Sequence, residues 1–246
     1  MNTQTRLRLV LVLSVALVSL AHAAEQVVLE SNSAMYQAGR TLDGQSEIML
    51  AAMEFVVFAT EDGRFLRIAG PYMGPATGGD GAAGQPPSPS NVRRAVAQLV
   101  GARPTEASGL GGVRGDFNVD GSVADTRADP WLVHSALTGD QCVLRGRAVA
   151  LWREPSDAAL TAQVADVTVN NDARVQWPAR ETRAAWPLDA PPVDNRIYLV
   201  RPDSGIRSVA IRLHTLAPEL ADKDLATVAW LAARGCTAQA RMLLNP

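Results

Sequence analysis

Trp230-Leu-Ala-Ala-Arg-Gly-Cys-Thr-Ala-Gln-Ala-Arg-Met-Leu-Leu244 reads as two short helices broken at Gly235, with Cys236 at the junction. Ala221 to Arg234 places Leu225, Val228, Ala229 and Ala232 on one helical face, and Gly235 suits the left-handed residue that ends a helix. The second helix turns Ala240, Leu243 and Leu244 inward. The one other cysteine is Cys142, which lies 94 residues earlier. In an exported chain two cysteines are most simply a disulfide, and no C-x-x-C points to redox thiols instead. On the chain-entropy model, closing so long a loop stabilises by ~4–5 kcal/mol. The terminus is therefore expected to be tied back onto a β-rich domain.

Export is expected from the first residues. Arg6 and Arg8 precede an apolar run from Leu9 to Leu20, and Ala21-His-Ala23 offers small residues where a signal peptidase cuts. The run is short for a membrane span, no cysteine stands near the cut for a lipid anchor, and the arginines are not adjacent as a twin-arginine signal requires. The expectation is a Sec-type signal peptide over 1–23 and a periplasmic mature chain. Without Arg6 and Arg8, 21 basic residues face 25 acidic ones, a balance that argues against nucleic acid as a partner.

Gln26 to Glu30 is β-prone, and Ser46 to Thr60 is the most apolar stretch after the leader. Glu61-Asp-Gly63 is a tight-turn signal, and Arg64 to Ala69 returns as the partner strand before Gly70-Pro71. Gly39-x-x-Leu42, a polar turn, an apolar strand, Thr60-Glu-Asp-Gly-Arg64 and a second strand ending in Gly70-Pro71 together resemble the β repeat of FecR-like periplasmic domains. The resemblance spans Glu25 to Gly74 and implies a β module that relays signals across the envelope.

Gly74 to Ser90 is rich in Gly and Pro and reads as a flexible linker. Asn91 caps an expected helix over 91–101, with Val92, Ala95, Val96, Leu99 and Val100 on one face. Arg103 to Ala128 is again polar and glycine-rich. From Asp129 strands resume. Gln141 to Arg145 and Ala148 to Arg153 are expected to form a hairpin about Gly146, and Val175-Gln-Trp177 to pair with Thr161 to Val169. Asn195 to Arg201 and Ser208 to His214 flank an Asp203-Ser-Gly205 turn. This half resembles exported bacterial proteins that carry a Cys-Val strand, Leu-Trp-Arg, two Trp-Pro pairs and a Trp-Leu…Gly-Cys-x-x-Gln-Ala terminus. That resemblance implies export and names no activity.

The expected fold is thus α+β and mainly β. It comprises a β module over 24–74, a linker with a short helix over 75–128, and a disulfide-tied β-rich domain over 129–246 closed by a helical terminus.

Candidate sites are few. Asp116-Phe-Asn-Val-Asp-Gly121 matches the opening of a calcium loop, but Arg127 stands where the closing carboxylate belongs, so no metal is expected. After the leader the histidines are His134 and His214, without a G-x-S-x-G elbow or an H-x-x-x-H spacing. No catalytic residue and no cofactor are assigned. Trp131, Trp177 and Trp186 are the candidate ligand or partner surface, since tryptophan stacks on sugars. The reading is a non-enzymatic periplasmic protein for envelope sensing or assembly with an envelope protein. The alternative is an enzyme or binding protein acting on polysaccharide or peptidoglycan through a carboxylate pair.

Overall fold

The computed structural model describes residues 24–78, 86–102, 129–169, 171–205 and 207–244. The leader and the Asp116–Gly121 loop lie outside them. The described chain is mainly β, and its helices form a central layer between two β assemblies.

The first assembly begins with β1 (Glu25–Ser31), β2 (Thr41–Asp43), β3 (Glu47–Leu50) and β4 (Phe55–Thr60), and continues with β5 (Phe65–Ala69) and β6 (Tyr72–Pro75). A four-stranded sheet runs β2-β1-β4-β5, and β3 pairs with β6 as a second layer. The apolar run Ser46 to Thr60 is therefore two strands rather than one, turned at Met53, whose φ is 69°. Alternation along β4 explains the layering. Val56 and Phe58 face Ile48, Leu50 and Ile68 inside the assembly, whereas Val57 and Ala59 face outward onto the helices. The expected Glu61–Gly63 hairpin is present, with Phe58 opposite Leu66 and Gly63 at φ +79°. The assembly runs slightly past Gly74, because Ala76 N–H donates to Ser46 O and Thr77 N–H to Gly44 O.

Helix α1 (Pro89–Ala102) starts two residues before the expected Asn91 cap. Ser88 fills that role instead: its Oγ accepts from Asn91 N–H at 3.4 Å, and Pro89 opens the first turn, where its missing N–H costs nothing. All five predicted apolar positions of α1 are buried. It is a core element, not part of a linker.

The second assembly comprises β7 (Val133–His134), β8 (Gly139–Leu144), β9 (Ala150–Trp152), β10 (Leu160–Asp166), β11 (Asn171–Trp177), β12 (Arg183–Ala185), β13 (Arg196–Pro202) and β14 (Val209–Leu216). A five-stranded sheet, β11-β10-β13-β14-β8, faces a three-stranded sheet, β12-β9-β7. Both expected pairings here are seen, with Ala162 opposite Val175 and Tyr198 opposite Ile211. The expected hairpin about Gly146 is not. β8 pairs in parallel with β14, and β9 pairs with β12 and β7 in the other sheet. Burial on both faces explains this, since Cys142 and Leu144 meet the helices while Val143 fills the sandwich. A strand covered on both sides reads as an unbroken apolar run and needs a sheet neighbour buried likewise.

A 3-10 turn (Pro218–Asp222) leads into α2 (Asp224–Ala233) and α3 (Thr237–Leu244), with Gly235 at φ +82° between them. Ala226 to Ala232 are all buried, because α2 touches α1, the four-stranded sheet and α3 at once. The disulfide Cys142–Cys236 joins β8 to the start of α3, with Cα atoms 5.9 Å apart. Beside it, the Gln239 side chain takes the place of a neighbouring strand. Its Oε1 accepts from Cys142 N–H at 2.7 Å and its Nε2 donates to Cys142 O at 2.7 Å. Among the described residues no helix is long and apolar enough to cross a membrane.

Candidate functional site

The three tryptophans expected at a surface are all inside. Trp131 is 8%, Trp177 1% and Trp186 5% exposed. Trp131 belongs to the helical core, and the other two fill the second sandwich. Trp186 meets Tyr198 edge to face at 5.0 Å and donates from Nε1 to Ala190 O at 2.6 Å. The Tyr198 hydroxyl donates to Pro191 O at 2.7 Å and accepts from Val193 N–H at 2.9 Å. These rings anchor the 187–193 loop and offer no face for a sugar. Leu-Trp-Arg also has a structural task. Buried Arg153 donates to the carbonyls of Glu181, Ala158 and Pro178, each at 2.9 Å, and so ties the β9–β10 connection to the β11–β12 connection.

The histidines are equally internal. His134 meets Trp152 edge to face at 4.7 Å, and its Nδ1 accepts from Ala136 N–H at 3.1 Å. His214 Nε2 lies 2.8 Å from Asp140 Oδ1, at the strand position opposite Cys142. Gly235 stands against the same Asp140, where a Cβ would come within 2.8 Å of Oδ2. The His–Asp pair thus packs into the helix junction.

A cleft of about 320 Å³ opens where the two β assemblies and the helical layer meet. β1, β2 and the β4–β5 turn supply Glu25, Asp43 and Glu61. The second assembly supplies Arg145 after β8, Asp194 before β13 and Thr215 on β14, and α2 with its C-terminal residue supplies Trp230 and Arg234. Trp230 is buried in the wall, and its Nε1 donates to Thr60 O at 3.3 Å. Arg234 pairs with the Glu25 carboxylate and sits 5.9 Å over the Trp230 ring. Its Nε is buried without a hydrogen-bond partner among the described residues. Thr215 N–H donates to Asp194 Oδ1 at 2.7 Å and fixes that carboxylate on the opposite wall.

Four carboxylates and two guanidinium groups therefore share the space. Burial pushes the Glu61 carboxyl above the ordinary glutamate range, and the Glu25 charge pushes it the same way. Arg145, the Glu25 N–H and Arg234 offset this only in part. Such a cleft can hold a polar ligand bearing both an ammonium or hydroxyl donor and an anionic group. Sequence reasoning did not find it, because Glu25, Glu61, Arg145 and Arg234 sit far apart in the chain and in no motif. The one local signal was the Glu61-Asp-Gly63 turn, whose tip also meets Lys223 at the entry to α2. Among the described residues no group of three or more His, Cys, Asp or Glu side chains could hold a metal ion. Compared with protein-family models, curated proteins and solved structures, the chain matches none.

Proposed function

We propose that the chain is a non-enzymatic exported protein of the bacterial periplasm that senses an envelope component through the cleft between its two β assemblies. The observation that carries this reading is the origin of the lining: residues from both assemblies and from the helix between them converge on one polar space. A ligand bridging Glu61 and Arg145 would draw the assemblies together, which is what a sensor needs to pass on occupancy. A fully buried disulfide and the apolar Leu9–Leu20 stretch support an oxidising, exported setting. The FecR-like order of the first strands supports the relay role, with an envelope protein as the downstream partner. The test is binding of short peptidoglycan peptides, followed by calorimetry, with Arg145→Ala and Glu61→Gln as variants. Saturable binding weakened by either substitution supports the reading. Equal binding by both variants, together with no envelope protein captured by crosslinking in cells, sinks it.

The polysaccharide-cleaving alternative is favoured by one observation, the raised Glu61 carboxyl beside Glu25. Against it, Arg234 holds the Glu25 carboxylate, and Trp230 shows the cleft no open face. Release of soluble sugars from purified peptidoglycan, abolished in Glu61→Gln, would establish this alternative over the first.

A further inference from the structure

The first β assembly exposes an unusual set of side chains. Among the described residues its large exposed apolar groups are all methionines: Met35 at 63%, Met49 at 59%, Met53 at 90% and Met73 at 67%. These are four of the six methionines in the whole chain, and none is needed to fill a core.

Two of them stand next to each other. Met49 on β3 and Met73 on β6 are direct cross-strand partners. Met49 N–H points away from β6, donating to the Tyr36 hydroxyl at 2.9 Å, and Ser46 one pair away from Glu47 accepts from Ala76 N–H. Met49–Met73 is therefore a pair without mutual backbone hydrogen bonds, the kind in which Cα atoms stand about 4.5 Å apart and side chains lie closest. Ile48 and Leu50 point to the core, so both thioethers project from the solvent face. The buried Tyr36 hydroxyl holds the Met49 backbone from the other side of β3. Asn32 fixes the backbone of the turn beyond β3, donating from Nδ2 to Met53 O at 3.0 Å while its Oδ1 accepts from Phe55 N–H at 2.7 Å. Two thioethers are thus set side by side on the solvent face of this small assembly.

We propose that the Met49–Met73 pair is a binding site for a soft monovalent cation of the Cu(I) type. Met49 and Met73, set side by side by the strand pairing, are its two ligands. A thioether is neutral and soft; it prefers Cu(I) or Ag(I) and discriminates against Zn(II), Mg(II) and Ca(II), which take imidazole, thiolate or oxygen donors. Two adjacent thioethers present sulfur lone pairs that Leu, Ile or Phe would lack, and this adjacency is what points to a soft cation. Glu47, exposed on the same strand face two residues from Met49, adds a negative charge that suits a cation.

The experiment titrates Ag(I), a redox-inert stand-in for Cu(I), into the purified protein with its disulfide intact, and follows the methionine methyl resonances. The expected result is saturation at one equivalent, with the Met49 and Met73 methyls shifting and Met242 on α3 unmoved. Met49→Leu with Met73→Leu keeps the apolar area and removes the sulfur. It is expected to weaken Ag(I) binding at least tenfold while leaving the melting temperature unchanged. Unchanged affinity in that double variant, or no methyl shift in the parent protein, overturns the proposal. If the double variant melts lower, oxidation of the parent to methionine sulfoxide provides the second arm, and retained Ag(I) affinity after oxidation overturns it equally.

Discussion

Glu61 and Gln239 show how single side chains matter here through what surrounds them. The Glu61 carboxyl titrates above its ordinary value of 4.5 because burial and the Glu25 charge disfavour its ionised form. A raised folded-state value means the folded chain holds the proton more tightly than the unfolded one. Stability is therefore gained at low pH and falls as pH rises from about 4.5 through the folded value. Glu61→Gln is expected to raise the melting temperature at pH 7 by about 1–3 °C and to flatten its decline over that window. A thermal melt at several pH values checks both. Asp166 has the opposite sign. Burial would raise it, but hydrogen bonds from Arg196 and Thr168 N–H, both at 2.8 Å, outweigh that and hold it below the usual aspartate range. Its contribution is present above an ordinary value of 3.8 and is lost as pH falls below that through the folded value, so Asp166→Asn should cost more stability at pH 7 than in acid. Gln239 satisfies both backbone groups of buried Cys142. Gln239→Ala leaves them without partners and is expected to cost about 2–4 kcal/mol in denaturant unfolding.

At the scale of elements, the β4–β5 hairpin shows how a local turn gains a long-range role. Asp62-Gly63 turns the chain as its residue types demand, and the same tip docks on Lys223, while Thr60 O accepts from Trp230 on α2. A Cβ on Gly63 would meet the Lys223 side chain at 2.5 Å, in a backbone conformation that favours glycine. Gly63→Ala is thus expected to destabilise by about 1–2 kcal/mol, more than turn strain alone. Replacing Lys223 by Ala in the same chain should recover part of it, which a double-mutant cycle measures. The hairpin was legible because a two-residue turn signal acts between adjacent strands. The supposed hairpin at Gly146 misled for the complementary reason. Its turn is real, but the strands on either side find better partners in two different sheets.

The whole molecule is held by its middle layer. α1 and α2 pack against each other, on the outer face of the four-stranded sheet and on Cys142, Leu144 and Leu216 of the second assembly. The disulfide fastens that layer to β8. Cys236→Ser is expected to lower stability by ~3–5 kcal/mol and to abolish the effect of reductant on the melting curve. A melting temperature unchanged by the substitution would refute the clasp. The helical layer also creates the cleft, since its end brings Arg234 to Glu25 across 209 residues of chain.

Local chemistry by itself determined the strands with alternating or turn-bounded patterns, the α1 face, the break at Gly235 and the pairing of the two cysteines. Each of these depends on neighbours in sequence or on there being a single choice of partner. Only the tertiary structure decided that Trp131, Trp177 and Trp186 are core, that α1 is a structural layer, that β8 runs parallel to β14, and that Glu25, Glu61, Arg145 and Arg234 share a cleft. A tryptophan has the same composition inside or outside, and charges scattered along a chain have no period to reveal them. Their meeting is a property of how two sandwiches close on the helices between them.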